Sequence, residues 1–362
     1  MAKENKKWWW YALGFLAFII YIFIAARPIP KETILKPRWI TSLELNYPVS
    51  LSDSVTDSGE LLSFKLGERF GYIGDDGKFS INQVKKNYLS LAEYNWAEYE
   101  ALPASVHVMN PLNENVLTIE NPKGYPFFLD NRVFLIGNEQ NSITAIGSGG
   151  EEIWTHCFPA PVTCIDAAGG YLLAGTLDGV VELLNSSGNS AFIPFEPGGS
   201  RLSVILGCAI SSDTSHLALI SGIDDQRFLL LERAGDSYKV IYHEFLTSGF
   251  RRPVHISFVE DDGKVAFERE GGLGIFDIPS RSSVYLPLTG EIETLENSGS
   301  GAYLFIITSQ GPGEKRFIAV RYPGVIVMDA PFKSNNTFFK RRDRKLYLGG
   351  GLSIVSFELE KN

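Results

Sequence analysis

The chain has 362 residues, 44% hydrophobic, 21% charged and 12% aromatic, with 35 Gly, 18 Pro and a formal charge of −9. Together with a mean hydropathy of +0.01, this excludes a disordered tail, a collagen-like fibre, a disulfide miniprotein and a polytopic membrane protein. Residues 1–38 hold seven basic and two acidic side chains, net +5, and the remainder carries −14, an acidic body ill-suited to neutralising nucleic-acid phosphate.

Residues 1–7 form a short basic head containing Lys3, Lys6 and Lys7. Residues 8–26, WWWYALGFLAFIIYIFIAA, carry no charge and match the roughly 20 apolar residues that cross a bilayer as a helix. Trp8, Trp9, Trp10 and Tyr11 suit the first interface and Arg27 closes the far end. The competing assignment is a cleaved signal peptide, whose apolar region is shorter and ends in a small-x-small site. Here Ile24-Ala25-Ala26 is followed by Arg27-Pro28, so an uncleaved single-pass anchor is favoured. Basic residues flank the segment almost equally. A short Lys-rich head before a first apolar segment usually stays cytoplasmic, which places the body outside the cytoplasm, in the periplasm or at the cell surface.

Residues 27–38 read as a proline-containing linker. Beyond it, in residues 39–362, short apolar runs alternate with turns of Gly, Asp, Asn or Ser, the pattern of an all-β domain. Seven such runs begin at Phe70, Val133, Tyr171, Leu217, Val265, Tyr303 and Leu346, spaced 63, 38, 46, 48, 38 and 43 residues apart. Spacings of 40 to 50 mark four-stranded propeller blades, which bury their faces only by stacking around an axis. The expectation is a seven-bladed β-propeller; the 63-residue gap holds either an insertion or an eighth blade around Ser105–Glu120. The last hairpin ends with too few strands for a blade, and Trp39–Tyr47 is strand-like without a blade of its own. Pairing the two would close the ring and cover an edge.

Residues 141–154, NSITAIGSGGEEIW, resemble the repeat of quinoprotein-like propellers at Ala145, Gly150 and Trp154. GTLDGVVELLNSSG, residues 175–188, is similar to the same repeat, and GIFDI, residues 274–278, to the Trp-Asp strand of WD40 repeats with Phe276 in place of Trp. The resemblance implies a WD40-like or quinoprotein-like architecture over residues 60–360 and a blade-docking role for Trp154. Catalytic quinoproteins would offer a tryptophan platform and a calcium site. Outside residues 8–10 only Trp39, Trp96 and Trp154 are present, so non-catalytic members that scaffold envelope assemblies are the better match.

A search for chemistry assigns no catalytic, cofactor-binding or metal-binding residue. His156-Cys157 with Cys164 lacks a second ligand pair at zinc spacing, and His107, His216, His243 and His255 are scattered singly. No G-x-S-x-G, H-E-x-x-H or Walker loop occurs. Asp75-Asp76, Asp224-Asp225 and Asp261-Asp262 read as turn-stabilising pairs. Three cysteines allow at most one bridge, and Cys164 and Cys208 occupy similar places in successive repeats, as buried thiols. Two sequons, at Asn185 and Asn335, fall in turns. The sharpest surface feature is Lys340, Arg341, Arg342, Arg344 and Lys345, expected at a hairpin tip where it could dock an acidic partner or lipid headgroups; the alternative is a solvated turn that keeps an edge soluble.

The functional expectation is a membrane-anchored extracytoplasmic propeller, without cofactor, that binds protein partners in an envelope or cell-surface complex. The competing class is a propeller enzyme, quinoprotein-like oxidoreductase or hydrolase, with an axial site.

Overall fold

A computed structural model describes residues 5–25, 33–45, 48–50, 61–297 and 302–361. After a helix, Asn5–Ala25, the described strands form eight antiparallel sheets. Blade 1 spans residues 61–84, blade 2 88–120, blade 3 124–157, blade 4 162–184, blade 5 205–245, blade 6 256–287 and blade 7 291–333. Blade 8 joins residues 337–361 to the amino-terminal strand Thr33–Ser42. The first strands of neighbouring blades contact one another, so they are the innermost strands around the axis.

Eight blades replace the seven expected. The 63-residue gap contains blade 2, whose last two strands, Ser105–Met109 and Asn115–Glu120, lie where the alternative placed an extra repeat. All seven runs counted in the sequence are second strands. These are buried on both faces, as in Arg69–Gly74 and His216–Ser221, and so read as continuous apolar stretches. The second strand of blade 2, Trp96–Tyr99, is only WAEY, and its Glu98 breaks the pattern.

Local turn chemistry sets the hairpins. Asp130 and Asn131 lie at φ 48° and 57° between paired Leu129 and Arg132, and Gly169 and Gly170 at 55° and 83° between paired Ala168 and Tyr171. Two successive left-handed residues make the tight turn whose twist matches the strands. Apolar residues then fill the seams between blades. Phe228 of blade 5 stacks on Phe267 of blade 6 at 4.6 Å within a cluster that also holds Phe276 and Leu230. Each of the eight seams has such a cluster, including the one between blades 8 and 1, so the ring is closed.

Closure uses the amino-terminal strand. Thr33–Ser42 pairs antiparallel with Ser353–Lys361, with a bulge between Pro37 and Trp39 that accommodates a residue lacking a backbone donor. The pairing begins at Thr33, inside the segment expected as a linker, and ends at Ser42, before the Tyr47 expected. Strand Pro48–Ser50 then adds a fifth strand outside it. Trp39 and Leu43 are fully buried in the seam with blade 1.

Residues 1–4 of the basic head, residue 26 at the end of the expected anchor and linker residues 27–32 lie outside the described residues. The side chains described in the helix, residues 8–21, are all exposed. Among the described residues no helix is long and apolar enough to cross a membrane, so the single-pass anchor expected at residues 8–26 is not shown.

Candidate functional site

The basic cluster is not a hairpin tip. Lys340, Arg341 and Arg342 belong to the innermost strand of blade 8, Thr337–Arg342, and the turn itself is Asp343-Arg344. The five cations reach in different directions because side chains alternate along a strand. Lys340 Nζ donates to Ser63 Oγ at 2.7 Å and pairs with Glu93. Arg342 Nη2 donates to the Leu61 carbonyl at 2.8 Å and lies 3.4 Å from Glu93 Oε2. Between them, Arg341 sits 5.4 Å from the Phe305 ring and donates from Nε to the Asp343 carbonyl at 2.6 Å. Lys345 pairs with Asp75. Only Arg344 is exposed, and its Nε donates to the Leu359 carbonyl at 3.0 Å. Four of the five expected docking cations are therefore engaged at the blade 8 and blade 1 seam or on its flank.

Glu93, just beyond the inner strand Tyr88–Leu91 of blade 2, also faces Glu296 from blade 7. Burial pushes the Glu296 carboxyl up to about 7, against the positive charge of Lys340 and with the help of the negative charge of Glu93. An unfolded glutamate titrates near 4.3. The folded protein thus binds an extra proton between about pH 4.5 and 7, and this group erodes stability as pH rises through that window. Glu296→Gln is expected to raise the melting temperature at pH 8 and to have little effect at pH 4.5. Equal shifts at both values, measured by scanning calorimetry, would contradict the assignment. Chemically the axis offers one carboxyl poised to exchange a proton beside a lysine. Among the described residues no group of three or more metal-binding side chains is present.

A second polar centre escaped sequence reasoning. Asp76 does stabilise its own turn, accepting from the Lys78 amide at 3.0 Å. Asp75 instead is 3% exposed and accepts from Arg38 Nη1 at 2.7 Å and Tyr347 Oη at 2.7 Å, besides its pair with Lys345. Its carbonyl accepts from Trp39 Nε1 at 2.7 Å. Burial works to raise this carboxyl, but the hydrogen bonds from Arg38, Lys345 and Tyr347 hold it down at about 2. The centre joins the amino-terminal strand, blade 1 and blade 8. No local motif announces it.

Trp154, on the outer strand Glu152–Cys157 of blade 3, donates from Nε1 to the Ser186 carbonyl of blade 4 at 2.9 Å. A β-carbon at Gly188 would come within 2.5 Å of its ring, so the glycine of the NSSG turn leaves the indole room to cross the seam. Ala145 is its cross-strand partner. Beside it opens a cavity of about 350 Å³ whose walls include Ile153, Arg132, Val116 and Ser186. His156 lies 3.1 Å from Glu182 and His107 3.0 Å from Thr118, each with a single polar neighbour rather than a ligand set. Asp224 and Asp262 accept backbone hydrogen bonds from Arg201 at 3.3 Å and Ser212 at 2.7 Å, acting between loops.

A family model described as "beta-propeller protein" matches residues 1–362. A protein of Treponema pallidum (strain Nichols), itself uncharacterized, is 27% identical over 368 residues, covering 99% of this chain and 96% of the relative. Among solved structures, BamB from Moraxella catarrhalis superposes with a TM-score of 0.59 at 12% identity, covering 90% of this chain and all of that one. Apo AztD from Citrobacter koseri gives 0.56 at 11% identity, covering 82% of this chain and 90% of that one. At these identities the two structures bear on the fold alone.

Proposed function

The chain belongs to the β-propeller protein family, and on that premise we propose that it is a membrane-tethered, extracytoplasmic interaction scaffold whose blades present binding loops to protein partners in an envelope complex. The observation that carries this reading is the exposed run Trp8–Tyr21, whose helix ends at Ala25, with seven residues between it and the closing strand that begins at Thr33. Seven extended residues reach no more than about 25 Å, so an anchor there holds the propeller close to the bilayer and raises its effective concentration for partners in that membrane. A rigid ring with loops on two faces suits recognition. The axial charges favour a structural over a catalytic role, since Glu93 of blade 2 pairs with both Lys340 and Arg342 of blade 8.

Fractionation and crosslinking test both halves of the proposal. The full chain is expected in the membrane fraction and a chain lacking residues 1–26 in the soluble fraction. Protease added to intact cells should remove the body, and crosslinking in the membrane should recover the same protein partner in replicate preparations. Full protection would place the body in the cytoplasm; no reproducible partner would defeat the scaffold reading.

A further inference from the structure

Cys164 lies on the inner strand of blade 4, Val162–Ala168, and Cys208 on the inner strand of blade 5, Ile205–Ile210. The two thiols cross the seam in opposite directions. Cys164 Sγ points to the Ile205 carbonyl of blade 5 at 4.0 Å, and Cys208 Sγ points to the Leu173 carbonyl of blade 4 at 3.9 Å. Both converge on Gly175: a β-carbon there would lie 2.8 Å from Cys164 Sγ, and the sulfur of Cys208 faces the Gly175 backbone. The missing side chain leaves room for both sulfurs in one apolar cluster at the seam of blades 4 and 5. Both are reduced in this structure, and Cys208 is buried while Cys164 is half-exposed. Cys157, the third cysteine, is exposed on the outer strand of blade 3.

We propose that Cys164 and Cys208 are a disulfide site that staples blade 4 to blade 5 when the body resides in an oxidising compartment. The compartment rests on the extracytoplasmic placement above; the pairing rests on the seam geometry alone. The oxidant is a disulfide of low molecular weight or of a thiol oxidoreductase. The Cys164 thiolate, the more accessible, attacks one sulfur of that disulfide, expelling one thiolate and forming a mixed disulfide. Cys208 then gives up its proton and displaces the second thiolate. The cysteines lose two electrons and two protons, and the oxidant is reduced to two thiols. Contact with Cys164, followed by burial, pushes the Cys208 thiol well up, which makes it the slower, resolving partner.

The test uses the purified reduced full chain carrying Cys157→Ser, treated with oxidised glutathione at pH 8 and mapped by mass spectrometry. The expected result is one crosslinked peptide pair joining Cys164 to Cys208, with loss of two hydrogen masses. Closing a loop of this length is expected to raise the melting temperature by about 5 °C. Cys164→Ser and Cys208→Ser variants should each show neither change. Both cysteines remaining alkylatable, or a stable glutathione adduct on Cys164 alone, would overturn the proposal. The same mapping on cells quenched in acid and alkylated reports the compartment: a bridge supports the extracytoplasmic placement. A bridge formed in vitro but absent in cells sinks that placement and leaves the pairing standing.

Discussion

Replacing Asp75 with alanine is expected to lower the stability of the propeller by about 3–5 kcal/mol, the cost of stranding a buried charge whose partner has been removed. Arg38 is 2% exposed and Asp75 3%, so water cannot replace the lost carboxylate, and Lys345 and Tyr347 lose the same acceptor. Asp75→Asn keeps the shape and one acceptor and should cost less. The depressed carboxyl also sets a pH dependence. Its folded pKa of about 2 lies below the unfolded value near 3.9. Its contribution, about 2–3 kcal/mol, is therefore complete above pH 4 and is lost as pH falls toward 2. Asp213 and Asp277 are held at about 2 as well, by hydrogen bonds led by Ser215 and Lys264 respectively, so the wild-type curve alone does not isolate Asp75. Subtracting the Asp75→Asn curve does. Urea melts from pH 2 to 7 should show the two proteins converging below pH 3, and a constant difference across the range would contradict this account.

The second large effect is expected from deleting the closing strand. A chain lacking residues 1–45 loses the ladder between Thr33–Ser42 and Ser353–Lys361, the fully buried Trp39 and Leu43 and the Arg38 partner of Asp75. Removing a buried tryptophan alone costs about 3–5 kcal/mol, against a total stability of about 5–15 kcal/mol for a typical domain. The open ring would also present the unpaired edge of Ser353–Lys361 to other chains. The outcome expected is loss of a cooperative thermal transition and elution as aggregate in gel filtration. A chain lacking only residues 1–27 keeps every one of those contacts and should melt like the full protein. Equal melting of the two truncated chains would show that the strand is dispensable for closure.

The second expectation deletes a pairing that the strand-like ends of the chain suggested; the first concerns contacts that local sequence patterns left invisible. The Asp75-Asp76 pair read as a turn device, and for Asp76 that reading matches its bond to Lys78. Asp75 differs because its partners come from residues 38, 345 and 347, far along the chain in both directions. The basic run looked like a free tip because six polar residues in a row resemble a turn; pairing of Arg342 with Lys345 leaves only two of them in it. Blade 2 stayed out of the count of apolar runs, and so only an alternative, for the opposite reason, since its second strand is too short and too polar to stand out from a loop.

What the sequence determined by itself is the repeating unit. Period, turn residues and apolar second strands are properties of a few neighbouring residues, and strand pairing within a blade joins segments that follow one another directly. The same locality exposed the charge-free run at the amino terminus and suggested that the ends of the chain pair. Only the tertiary structure decided the blade count and the roles of the charged side chains. Closing the ring puts Lys340 beside Ser63 and Glu93, 277 and 247 positions away, and Lys345 beside Asp75, 270 positions away. Such partners are chosen by the angle at which eight sheets meet around an axis, a quantity that no stretch of neighbouring residues encodes.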